Sequence, residues 1–135
     1  MRRWRTPTEA PAEAGSMALE YGILLPALVL LMLGSMDVAR LIWTYTTLHR
    51  AVEASARCAA INPAACGSAN LVTSRAVTEA WGLPVTAEMF SLQQQGCGAR
   101  VTANYSFSLL IPWLSQSPDT LPNSITLTVS ACYPT

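Results

Sequence analysis

The stretch that decides the fold is "EAGSMALEYGILLPALVLLMLGSMD", residues 13–37. Sixteen of these residues, 21–36, carry no formal charge and lie between Glu20 and Asp37. As a helix they rise roughly 24 Å, a little short of the ~30 Å hydrocarbon core of a bilayer. Adding residues 17–19 completes a membrane span and leaves Glu20 near one interface. A carboxylate at the centre of a spanning helix costs about 2.5–3.5 kcal/mol, and less toward its ends. A plain anchor has no use for that charge.

Ahead of the apolar run, "MRRWRTPTEAPAEAG" (1–15) carries two prolines and mixed charge without an apolar period, the composition of a flexible leader. Arg2, Arg3 and Arg5 form the one positive cluster of the chain. By the positive-inside rule they predict a cytoplasmic N-terminus and an outer C-terminal part. A secretory signal peptide would place small residues for cleavage after its apolar core. In this chain Ala14, Gly15 and Ser16 stand in front of it, while "GSMDVARLIW" behind it continues as helix.

Beyond Asp37 the residues Leu41, Tyr45, Leu48, Val52, Ser55 or Ala56, and Ala59 recur at spacings of three and four, one face of a helix. Asp37 with Arg40, and Arg50 with Glu53, have helical pair spacing. Asn62-Pro63 stops the pattern, because proline cannot extend the hydrogen-bond ladder. One helix is therefore expected over about residues 16–61, with Pro26 kinking or locally unwinding it. A second helix is expected within "GSANLVTSRAVTEAWGLP" (67–84), capped by Ser68 and ended by Gly82 and Pro84. "ARVTANYSFSL" (99–109) and "SITLTVSAC" (124–132) alternate apolar and polar residues, so both read as half-buried strands. Residues 85–92 suggest a weaker strand, and 109–123 a long hairpin connection. The fold class is α+β: a long N-terminal helix, half membrane-spanning and half amphipathic, packed by a second helix and a small antiparallel sheet. Three regions follow: a leader (1–15), the long helix (16–61) and a small outer α+β domain (62–135).

The eight basic residues balance eight acidic ones, leaving no basic face for nucleic acid. Cys58, Cys66, Cys97 and Cys132 all follow the apolar run, and their spacing lacks the paired-cysteine knuckle of structural zinc sites. Disulfides in an oxidising compartment are expected, with three possible connectivities. Cys58 and Cys66 could close a short loop across the helix stop, leaving Cys97 for Cys132. That second pair conflicts in strand parity unless Gly96 and Gly98 supply a bulge. His49 stands alone and reads as a surface or packing residue, and "LLIPWL" (109–114) as core packing under a long loop. No nucleophile motif, phosphate loop or metal-ligand spacing appears, so an enzyme, a cofactor and a metal are not expected.

Gly15, then "SMALEY" and an apolar helix, resembles the processing region of the type IV pilin superfamily, in particular its Flp (tight-adherence) branch. Pro26 early in the apolar segment and the Ala-rich helix at 50–60 resemble the TadE-like pseudopilins of that branch. The resemblance implies cleavage by a prepilin peptidase between Gly15 and Ser16, which makes Glu20 and Tyr21 residues five and six of the mature chain. It also implies that Glu20 pairs with the N-terminal amine of a neighbouring subunit during assembly. The domain after the helix implies a minor pseudopilin rather than a short major pilin. The implied partners are the membrane, the peptidase, other pilins and pilus assembly proteins. The implied location is the bacterial inner membrane, with the N-terminus cytoplasmic, the outer domain periplasmic and incorporation into a pilus open. The alternative is a single-pass anchored protein, never processed, whose outer domain binds a partner.

Overall fold

The computed structural model describes residues 13–110 and 124–134. Helix α1 covers Glu13–Ile61, 49 residues, and Pro26 lies inside it without interrupting the helical assignment. It begins about one turn before residue 16. The chain divides into two compact units, Met1–Ser35 and Met36–Thr135.

In the first unit the described side chains from Ala18 onward are exposed, except that Gly34 is half-buried. Leu19, Ile23, Leu24, Leu25, Leu28, Leu31 and Met32 all present more than half of their surface, and exposed Val29 and Leu33 complete the circuit of the helix. A helix apolar all round lacks the one-sided stripe that would pack it on a globular core. The apolar window of the helix has a mean hydropathy of 2.0 with 6% of its residues buried, so by length and composition it is able to cross a membrane.

The second unit is the folded domain. Its part of α1 buries Asp37, Thr44, Leu48, Ala51, Val52, Ser55 and Ala56, a stripe at three- and four-residue spacing. Tyr45, expected on this stripe, is exposed, and Thr44 takes the inward position. The tyrosine lies one residue, about 100°, round the helix from Thr44, which turns it out of the packed face. Ser55 avoids an unsatisfied buried hydroxyl by donating to the Ala51 carbonyl at 2.7 Å.

After α1 stops at Ile61, a one-turn helix α2 (Pro63–Cys66) follows the expected stop at Asn62-Pro63. Proline at the first helical position sacrifices an N–H that has no intrahelical partner anyway. The Asn62 side chain caps the turn by accepting from the Ala65 N–H at 3.2 Å. Gly67 follows because a Cβ there would collide with the Pro63 carbonyl. Helix α3 (Ala69–Glu79) is N-capped by Ser68 and contributes Val72 and Ala76 to the core. Gly82 then turns the chain with φ +82°, a conformation open to glycine at little cost.

A 3-10 turn (Ala87–Met89) leads into β1 (Phe90–Gln95), followed by β2 (Gly98–Ser108) and β3 (Ser124–Tyr133). The three strands form an antiparallel sheet in the order β1-β2-β3. β1 is thus displaced toward the C-terminus from the expected 85–92, because pairing with β2 starts at Gln95 opposite Gly98 and draws Gln93 and Gln94 into the ladder. Cross-strand pairing outweighs the poor intrinsic strand signal of a glutamine run.

One face of the sheet is apolar: Phe90, Leu92, Val101, Ala103, Tyr105, Leu127, Val129 and Ala131 join the core cluster with Leu48, Val52, Val72 and Ala76. The opposite face carries Thr102, Asn104, Ser106, Thr126, Thr128 and Ser130, where Thr128 bonds Asn104 across the strands at 2.9 Å. The domain is therefore two layers, helices on one side of the sheet and solvent on the other.

Two disulfides close the domain, Cys58–Cys66 and Cys97–Cys132, with Cα separations of 5.7 and 6.3 Å. The parity conflict between Cys97 and Cys132 does not arise. Cys97 belongs to the two-residue hairpin turn with Gly96, and the register from Gln95–Gly98 to Phe90–Ala103 contains no bulge. Alternation of faces binds strand residues, and a turn residue is free of it. Gly98, at φ +109°, redirects the chain into β2.

Fully buried Leu48 should be the costliest single truncation on the helix. Leu48→Ala is expected to lose about 2–5 kcal/mol in denaturant unfolding of the outer domain, whereas exposed Thr128→Ala should stay within about 0.5 kcal/mol. The two disulfides should also differ. The bridge spanning 35 residues restricts the unfolded chain more than the one spanning 8, so Cys97→Ser with Cys132→Ser should cost about 4 kcal/mol, and Cys58→Ser with Cys66→Ser about 2.5 kcal/mol. The same unfolding measurement ranks them.

Candidate functional site

The residues singled out for function fall into two groups. Gly15, Ser16, Glu20, Tyr21 and Pro26 lie on α1 in the first unit, and the four cysteines lie in the second. The Gly15–Ser16 bond is in the first turn of α1. The N–H groups of a first turn lack intrahelical acceptors, so this is where a helix opens most readily. Glu20 and Tyr21 are exposed, and Tyr21 presents 66% of its surface.

Glu20 has no ion-pair or hydrogen-bond partner among the described residues. The described ion pairs all lie in the second unit: Asp37 with Arg40 at 3.3 Å, His49 with Glu53 at 3.3 Å, and Arg75 with Glu79 at 2.6 Å. Glu53 faces His49 one helical turn back, rather than Arg50 as the spacing also allowed. The two exposed or half-exposed pairs, His49 with Glu53 and Arg75 with Glu79, contribute little to stability.

Asp37 closes the other end of the apolar run, and its environment contrasts with that of Glu20. Its side chain is 3% exposed, and both carboxylate oxygens accept the Leu110 N–H, at 3.1 and 3.0 Å. The contact links α1 to the chain leaving β2, 73 residues away in sequence. Arg40 completes the arrangement, its guanidinium carbon 5.2 Å from the centre of the Phe107 ring. Sequence reasoning found the Asp37–Arg40 spacing and missed the Leu110 bond, for which no local pattern exists. Residues 111–114 of the "LLIPWL" segment lie outside the described residues.

Among the described residues no group of three or more His, Cys, Asp or Glu converges on one point, and all four cysteines are consumed in disulfides. An open groove beside His49, Arg50, Glu53 and Arg57 is lined on its other side by Ser130–Tyr133 at the end of β3.

Residues 15–57 match the model of the family described as TadE-like protein. The match starts at Gly15, takes in Glu20, Tyr21, Pro26 and Asp37, and leaves the sheet unmatched. No curated protein and no solved structure matches the chain. From Gly15 through most of α1 the chain is thus similar to the TadE-like family, over about a third of its length.

Proposed function

We propose that the chain is a TadE-like minor pseudopilin, a building part rather than a catalyst. Its leader (1–15) stays cytoplasmic, the first half of its helix (16–61) spans the bacterial inner membrane, and the second half lies outside with the disulfide-bonded domain (62–135). A prepilin peptidase cleaves between Gly15 and Ser16, and the mature chain then joins a Flp-type pilus or its assembly apparatus.

The observation that carries this reading is Glu20: an exposed carboxylate on a helix apolar all round, without a partner among the described residues. Cleavage would place Glu20 within about one turn of a new helix N-terminus. The helix dipole would favour it there by about 0.3–1 kcal/mol. That is smaller than the ~2.5–3.5 kcal/mol penalty Glu20 would meet if assembly carried it from the interface into an environment as apolar as the centre of a membrane. A counter-charge must supply the difference, and cleavage creates one. The freed α-amino group of Ser16 titrates near pH 8 and is cationic at neutral pH. Within one chain the amine and Glu20 lie four residues apart, on one side of the helix. Between chains the same pairing would fix one axial offset, because any other stagger strands a buried charge.

The test separates processing from assembly. Glu20→Gln keeps the size of the side chain and removes its charge. The variant should still be cleaved in cells making the peptidase, yet fall at least about tenfold in pilus-associated fractions, matching the loss of roughly 1.4 kcal/mol or more. Incorporation at the level of the unmodified chain would refute the assembly role of Glu20.

A further inference from the structure

Two tryptophans stand out in the folded unit because the core does not use them. Trp43 on α1 and Trp81 after α3 are 54% and 61% exposed, and they meet edge to face with ring centroids 6.0 Å apart. Pairing two large aromatic rings at the surface leaves most of their apolar area in water, which is costly unless something covers it. The surroundings are apolar too. Met36, Val38, Ile42 and Leu110 are each more than half exposed. An open groove lined by Met36, Arg40, Trp43, Gly82, Pro84 and Phe107 joins these elements at one end of the domain.

We infer that this end of the domain, centred on Trp43 and Trp81, rests on the outer surface of the bilayer, at the boundary between phospholipid headgroups and acyl chains. The inference depends on the membrane-span reading above. Three observations select the lipid surface as occupant. The chain enters the folded unit at Met36, directly from its apolar run, so this is the end nearest the span in sequence. Tryptophan, with an apolar body and an N–H donor, is the residue enriched at that boundary. The charge presented is also suitable. Asp37 is buried on the Leu110 N–H, whereas Arg40, which gives one N–H to Asp37, is 43% exposed and keeps further N–H donors for lipid phosphate.

The length of the helix is compatible with this. The charge-free run 21–36 falls roughly 6 Å short of the ~30 Å core, a gap that residues 17–19 can close on the leader side or Val38 and Ile42 on the outer side. With Asp37 withdrawn into the domain, Val38 and Ile42 continue the apolar surface toward Trp43. Trp81 is the informative member of the pair. It arrives from a different element, 38 residues further along the chain, so its proximity to lipid is not a consequence of belonging to the spanning helix.

The test uses the unmodified full-length chain in vesicles of phosphatidylethanolamine and phosphatidylglycerol. One photoreactive phospholipid carries its reactive group at the headgroup, and another carries it at the acyl-chain end. After reduction and trypsin digestion, the headgroup probe should label peptide 76–100, which contains Trp81. It should spare peptide 58–75, which carries exposed Ile61 and Leu71 near the Cys58–Cys66 bridge. The acyl-end probe should label the peptide ending at Arg40. An unlabelled 76–100 beside a labelled span would overturn the docking surface and leave the span intact. Equal labelling of 58–75 would overturn it as well, by showing contact without a preferred face. An unlabelled span would remove both readings. Replacing Trp81 with Ser should lower labelling of 76–100 by the headgroup probe without changing labelling of the span, and undiminished labelling would remove the tryptophan from the contact.

Discussion

The sheet depends on one contact, the buried stripe of α1 from Leu48 to Ala56 against the odd-numbered face of β2 and β3. Three strands alone cannot cover an apolar face, and an isolated sheet of this size is marginal in water. α1 supplies the cover: Ala51, Ser55 and Ala56 are small and fully buried, and Leu48 and Val52 share one core cluster with Val101, Ala103 and Val129 of the sheet. Val72 and Ala76 of α3 close the same core from the side of β1. Each fully buried aliphatic side chain contributes about 1.5–3 kcal/mol, far more than any exposed ion pair on these helices.

Two carboxylates bracket the apolar run, and the chain treats them differently. Asp37 is satisfied from within by a backbone N–H and a guanidinium, both from the folded unit. Glu20 has no partner among the described residues. A charge with a built-in partner serves the fold, whereas an exposed one on an apolar helix is free to take up an added counter-charge. That asymmetry turns a TadE-like sequence match into a physical argument about assembly. It also explains how a helix with Asp37 in its middle can keep an apolar exterior past that residue.

Much of the architecture was legible because period and punctuation agreed. Asn62-Pro63 ended α1, Ser68 opened α3, and the alternation from Val101 to Phe107 and from Ile125 to Ala131 marked the two longer strands. The failures have a common cause. β1 takes its position from its partner strand, the Asp37–Leu110 bond joins residues 73 apart, and the direction of Cys97 is set by a turn. Each is decided by tertiary neighbours that a local pattern cannot contain. Tyr45 failed for a smaller reason: helical spacing admits two adjacent positions at the edge of a stripe, and packing chose Thr44. Gly15 and Glu20 were legible as a motif, while the open state of Glu20 needed the surrounding structure.

The central claim is that Glu20 waits for an amine created by cleavage. The most direct test is the N-terminus and intact mass of the membrane-extracted chain, isolated without reductant, with and without a co-expressed prepilin peptidase. The account predicts a peptidase-dependent chain beginning at Ser16, lighter than its reduced form by about two mass units for each of its disulfides. A chain still beginning at Met1 beside an active peptidase would contradict it, and would reduce Glu20 to a charge at the edge of an ordinary anchor.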